Sequence, residues 1–201
     1  MGREVRSSEG KSVAVVDLAG FIAGLKDHAA DHGFHIHDER HFVETYSMRQ
    51  AFEVDLHPEA ACGGPLDLHL SLDVEPRTLM AFEDEIVSLP DDAEPSDDLV
   101  VQLIFSWALP PLDNSPDLLV LATELAGIGG PEFPTEVSAM DSFAAVTDGP
   151  QRSLAVTARL DVPLAAVYRA DEATHVCEAL DQCRAISEYL LDRAPAWFGE
   201  L

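Results

Sequence analysis

Apolar and polar positions in this chain repeat with two different periods, and the switches between them delimit the elements. Over residues 12–31 the period is helical. Val15, Leu18, Ile22, Leu25 and Ala29 recur at three- and four-residue spacing and form one apolar stripe. Gly33 stands where a left-handed cap would end such a helix. Residues 1–11 ahead of it read as a polar, flexible arm. The period then falls to two. In 45–57, Tyr46, Met48, Phe52, Val54 and Leu56 face one way, and Thr45, Ser47, Arg49, Glu53, Asp55 and His57 the other. In 66–75, Leu66, Leu68, Leu70, Leu72 and Val74 alternate with Asp67, His69, Ser71, Asp73 and Glu75. Both segments predict strands with one buried and one wet face. The Gly63-Gly64-Pro65 turn between them predicts an antiparallel hairpin.

Residues 80–87 fit either a strand or a short helix. After an acidic loop at 91–98, Leu99, Val101, Leu103, Phe105 and Trp107 keep phase in a third strand over 99–109, which Pro110-Pro111 should stop. Ser115, Pro116 and Asp117 supply a capping hydroxyl, a first-turn proline and an acid for the positive helix end. The helix they open runs to about residue 126, ends at Gly127 or Gly129 and is apolar nearly all round, which predicts deep burial. Residues 137–146 and 154–162 read as two strands joined by an Asp148-Gly149 turn. A closing helix over 171–193 carries Ala173, Val176, Leu180, Cys183 and Leu190 on one stripe, with Pro195 as its terminator.

The resulting order is α-β-β-β-α-β-β-α. It predicts an α+β fold in which a mostly antiparallel sheet of five to six strands carries helices on one face. No repeat or flexible linker divides the chain, so residues 1–201 read as one domain.

Charge narrows the partners. Asp and Glu number 37 against 12 Lys and Arg, a formal net charge of -25. Such a surface repels phosphate backbones and anionic lipid, which argues against nucleic acid and membranes and toward a protein partner with basic patches. Acidity that serves only solubility accounts for the same number. Three cysteines, Cys62, Cys177 and Cys183, make no disulfide framework, and the last two point to different faces of one helix. The opening residues lack a signal peptide, a spanning helix and a myristoylation pattern, so the expected location is cytoplasmic. Scarce lysine beside abundant Ala, Asp and Arg suits a GC-rich bacterial genome.

The sharpest local chemistry is a histidine cluster. His28, His32, His35, His37 and His41 are five of the eight histidines. His28 and His32 are four apart on a helix and share a face, and His35 and His37 share a face of an extended segment. With Asp38, Glu39 or Glu44 they offer nitrogen and oxygen ligands to a divalent metal such as zinc. The competing reading is a solvated helix end and loop, because a ligand set needs convergent geometry. A second candidate is the polar face of the first hairpin, with Glu53, Asp55 and His57 beside Asp67, His69, Asp73 and Glu75. Carboxylates there suit cation binding or acid–base work, and a plain wetted face is the alternative. Gly10-Lys11-Ser12 imitates the end of a phosphate loop, but Val5 stands where the pattern needs glycine. Cys62 beside two glycines is a turn thiol without a cationic neighbour in sequence.

The element order, length and acidity resemble the type III secretion chaperone-like fold, a superfamily that includes the YbjN-type bacterial proteins. The likeness rests on the opening helix 12–31, the strands 45–57, 66–75 and 99–109, the helix 115–126, the hairpin at Asp148-Gly149 and the closing helix 171–193. It implies a non-catalytic protein that binds another polypeptide and forms a homodimer. Three functional readings follow: a chaperone-like or regulatory protein-binding module without cofactor, a metal-binding protein or metal-dependent enzyme built on the histidine cluster, and a carrier of a small apolar ligand.

Overall fold

The computed structural model describes residues 16–90, 92–143, 145, 149–169 and 174–198. The expected arm, Val15, Asp148 of the expected turn and Ala173 of the closing helix lie outside them. Helix α1, Leu18–Asp31, is capped by Asp17, whose carboxylate accepts the Gly20 backbone N–H at 2.8 Å. The expected stripe of Leu18, Ile22, Leu25 and Ala29 is buried. Gly33 ends the helix at φ +82°, and its N–H donates to the Ala30 carbonyl.

The chain turns there into β1, Phe34–Val43, where the sequence reading weighs an extended segment at His35 and His37 against a solvated helix end and loop and counts no strand. Only Phe34 is buried along β1, so two-residue alternation leaves no trace in this exposed edge strand. Strand β2, Gln50–Pro58, starts later than expected. Residues 44–49 form a loop in which Met48 N–H donates to the Glu44 carbonyl at 2.8 Å, with Met48 at φ +60°. Tyr46 and Met48 therefore project into solvent instead of joining the inner row.

Strand β3, Asp67–Val74, leads into helix α2, Pro76–Ser88, which makes the ambiguous segment helical. Pro76 opens that helix, and Leu79, Phe82 and Ile86 pack inward at helical spacing. Strand β4, Val100–Leu112, continues through Pro110 and Pro111, because its register against β6 shifts between Leu109 and Leu112. Prolines are tolerated in such an irregularity.

Helix α3, Leu118–Gly129, is capped by Asp117 rather than Ser115. The Asp117 carboxylate accepts the backbone N–H groups of Leu119 at 2.9 Å and Val120 at 3.1 Å. Ser115 Oγ meets only the Pro116 carbonyl at 3.3 Å. Deep burial of α3 does not occur: Leu119 is 77% and Val120 55% exposed, while Leu121, Leu125 and Gly129 face inward. Strands β5, Thr135–Ser142, and β6, Gln151–Pro163, precede a short helix α4, Leu164–Arg169, and the long α5, Thr174–Phe198. Helix α5 passes through Pro195 because Ala194 and Trp197 still bury against the core.

The sheet order is β1-β2-β3-β4-β6-β5, with every neighbouring pair antiparallel. Inner rows from β2, β3, β4 and β6 share one apolar core with α1, α3 and α5, with α5 against β2 and β4, α1 against β1 and α3 against β5. At their centre Trp107 pairs with Leu68 and Val156, and Phe105 meets the Phe133 ring edge-on at 5.2 Å. The indole N–H of Trp107 donates to Ser187 Oγ at 2.8 Å, and Ser187 Oγ–H donates to the Cys183 carbonyl at 2.8 Å. Both side chains are fully buried, so the serine satisfies an indole that has no access to water. No helix among the described residues is long and apolar enough to cross a membrane.

Ser187→Ala leaves that indole unpaired and is expected to cost about 1–3 kcal/mol in urea unfolding with an unchanged slope. An unaltered midpoint would show that the indole finds another acceptor. Asp117→Ala is expected to cost about 0.5–2 kcal/mol and Ser115→Ala almost nothing. The reverse ranking would restore Ser115 as the cap.

Candidate functional site

The outer face of β1, β2 and β3 concentrates the polar chemistry of the described residues. Because Val54 and Leu56 face the core, Glu53, Asp55 and His57 must face outward. Antiparallel pairing brings Asp55 opposite His69, Glu53 opposite Ser71 and Ala51 opposite Asp73. On the edge side it brings His35 opposite His57 and Arg40 opposite Glu53. The β1 register shifts between Ile36 and Asp38, which leaves His37 as an extra residue. Its ring lies 4.2 Å from that of His57, and the His35 ring lies 6.2 Å from the same partner.

After Pro58 a single 3-10 turn, Glu59–Ala61, folds Cys62 back toward these rings. Its Sγ lies 3.2 Å from His35 Nδ1 and 3.8 Å from His57 Nδ1. His57 Nδ1–H donates to the Pro58 carbonyl at 3.0 Å. An open depression of about 480 Å³ runs beside this group, lined by His37, Asp55, His57, Asp67 and His69.

Charges around the depression are paired. Arg40 reaches Asp55 at 2.8 Å, Glu53 at 3.4 Å and Asp38 at 3.7 Å. His69 Nδ1 meets Asp55 at 2.5 Å. Arg49 binds both oxygens of Asp73, whose hydrogen bond first and charge second raise the arginine above its ordinary pKa. These pairs are open to water, and each contributes little to stability. They hold the outer face in register and occupy most of its carboxylates.

The five histidines expected to form one metal site are distributed. His28 lies in the last turn of α1. His32 Nδ1 meets Asp181 of α5 at 2.8 Å, and His41 stacks on Phe52 at 4.0 Å between ring centres. Only His35 and His37 come together, and they do so with His57 and Cys62, two residues outside the expected cluster. Among the described residues no three His, Cys, Asp or Glu side chains converge on a ready metal position. The hairpin candidate keeps Glu53, Asp55, His57, Asp67, His69 and Asp73 on one face, while Glu75 leaves the sheet as the N-cap residue of α2. Sequence reasoning missed the Cys62 neighbourhood because it depends on β1 being a strand. The phase of His57 with Asp55 was the one available signal.

These features define an α+β protein on an all-antiparallel six-stranded sheet, with a histidine–cysteine group at one edge of its wet face. Comparison with models of known families, with curated proteins and with solved structures gives no match.

Cysteine environments differ sharply across the fold. Cys62 is exposed and Cys177 half-buried, whereas burial pushes the Cys183 thiol well up in pKa. Native alkylation near neutral pH followed by mass spectrometry is expected to label Cys62 first and Cys183 only on unfolding. Early modification of Cys183 would contradict the packing of α5.

Proposed function

We propose that the protein is a non-catalytic binding module that holds a basic polypeptide segment against the free end of the β1–β2 hairpin. One observation carries the reading. Phe42, Val43, Tyr46 and Met48 are 50%, 61%, 100% and 71% exposed and follow one another around that hairpin end. Large apolar side chains grouped in this way are characteristic of contact surfaces. They adjoin an edge strand, whose outer backbone groups pair with no other strand among the described residues. Strand addition is the recognition mode that such an edge supports. The β1 irregularity at Ile36 and Asp38 interrupts the ladder, so the usable edge is residues 39–43, next to the apolar tip.

The chain's net charge of -25 supports a basic occupant, because complementary charge accelerates encounter and excludes acidic competitors. The resemblance to secretion-chaperone-like proteins points to a polypeptide partner. In this reading the protein works in the cytoplasm, and a second copy of the chain is the competing occupant of the edge.

Fluorescence anisotropy with a lysine-rich, aromatic-bearing extended peptide tests the proposal. Binding is expected to weaken as salt rises and to fall by more than about tenfold in a Phe42→Ser, Tyr46→Ser double variant, or about 1.4 kcal/mol. The melting temperature of that variant should stay unchanged. Absence of binding at low salt, or equal binding by the variant, would overturn the reading. Concentration-dependent dimerisation that the same variant abolishes would assign the edge to a second copy.

A further inference from the structure

The group formed by Cys62, His35, His37 and His57 has no task in partner binding, and its nitrogen and sulfur donors are of the type that ligate metals. We propose that these four side chains bind one borderline-soft divalent ion of the zinc class, through the Cys62 sulfur and three imidazole nitrogens.

The argument begins with spacing. A tetrahedral zinc ion with its usual bond lengths holds sulfur and nitrogen ligands about 3.5 Å apart and the centres of ligating imidazoles about 5 Å apart. Here the sulfur stands 3.2 Å from His35 Nδ1, and His57, whose Nδ1–H donates to the Pro58 carbonyl, is left with Nε2 as its ligand atom. The ring centres of His35 and His37 lie 6.2 Å and 4.2 Å from that of His57. The sulfur–nitrogen distance and the His37–His57 separation lie within about 1 Å of the tetrahedral values, and the His35–His57 separation is longer by little more than that. The donors stop short of converging. His35, His37 and Cys62 are exposed and His57 is half-buried, so rotations about side-chain bonds bring them together with little disturbance of packing.

Backbone architecture supplies the donors from three places. His57 is held on a paired strand by its neighbours Leu56 and Pro58, both buried. His37, the extra residue at the edge-strand irregularity, holds its ring 4.2 Å from that of His57. The 3-10 turn after β2 returns Cys62 to His35 and His57. Nitrogen and sulfur donors select zinc, cobalt, nickel or copper over magnesium and calcium, which prefer oxygen. On binding, the Cys62 thiol gives its proton to solvent and the metal–sulfur bond replaces the S–H bond. Asp67, on the wall of the adjoining depression, adds negative potential that favours a dication.

Cobalt(II) titration of the untagged full chain, followed by absorption spectroscopy, tests the site. One equivalent should bind and produce thiolate-to-cobalt charge-transfer absorption together with the intense visible bands of a tetrahedral ion. Zinc should displace it and magnesium should not. Cys62→Ser should abolish the charge-transfer absorption. A His35→Asn, His57→Asn double variant should weaken cobalt binding more than about a hundredfold, beyond the 10–100-fold that loss of an outer-shell partner costs. Cys177→Ser should leave the spectrum intact. Circular dichroism of each metal-free variant should match that of the unaltered chain, so that a failure to fold is separated from a loss of ligands. Absence of charge-transfer absorption in the unaltered chain, or its persistence in Cys62→Ser, would overturn the site. Unchanged affinity in the double-histidine variant would overturn it as well.

Discussion

Burial of a single face of the sheet constrains everything else in this protein. Side chains alternate along a strand, so a register slip of one residue would send Leu68, Leu70 and Leu72 to water and drive Asp67, His69 and Ser71 into the core. The inner rows are locked into one core with α1, α3 and α5 by packing and by the Trp107–Ser187 hydrogen bond. With them locked, the outer rows have no remaining choice. Asp55 must meet His69, and His57 must present its ring to whatever strand lies beyond β2.

That constraint explains which parts of the structure were legible in the sequence. Strands β3, β4 and β6 are buried on alternate residues, and their periodicity announces them. Helices α1 and α5 announce themselves through apolar stripes at helical spacing. Strand β1 does not, because an edge strand with Phe34 as its sole buried residue has no reason to alternate. The same principle misplaced Tyr46 and Met48, whose spacing continues the β2 pattern although the loop at 44–49 carries them into solvent. Local chemistry misled at Ser115, where Pro116 and the longer reach of Asp117 moved the cap by two residues. At Pro195, burial of Trp197 outweighed the lost backbone donor.

The candidate site was half legible for the same reason. His35 and His37 stood out as a pair, and His57 stood out as part of a polar row. Their union needed the β1–β2 pairing and the irregularity at His37, neither of which composition or period reports. Cys62 had no cationic neighbour in sequence, yet the short turn after Pro58 sets two imidazoles beside it. Two distinct surfaces result at the β1 side of the sheet: an apolar tip at the β1–β2 loop, and a nitrogen–sulfur cluster where β1 begins and β2 ends. Both depend on β1 occupying the edge.

Cross-strand proton contacts measured by nuclear magnetic resonance on the labelled full chain reach that dependence directly. The account predicts close contacts of His35 with His57 and, beyond the one-residue shift at His37, of Phe42 with Ala51, together with Asp55 against His69 on β3. Contacts displaced by one residue along β2, or a 34–43 segment with no strand partner, would contradict it.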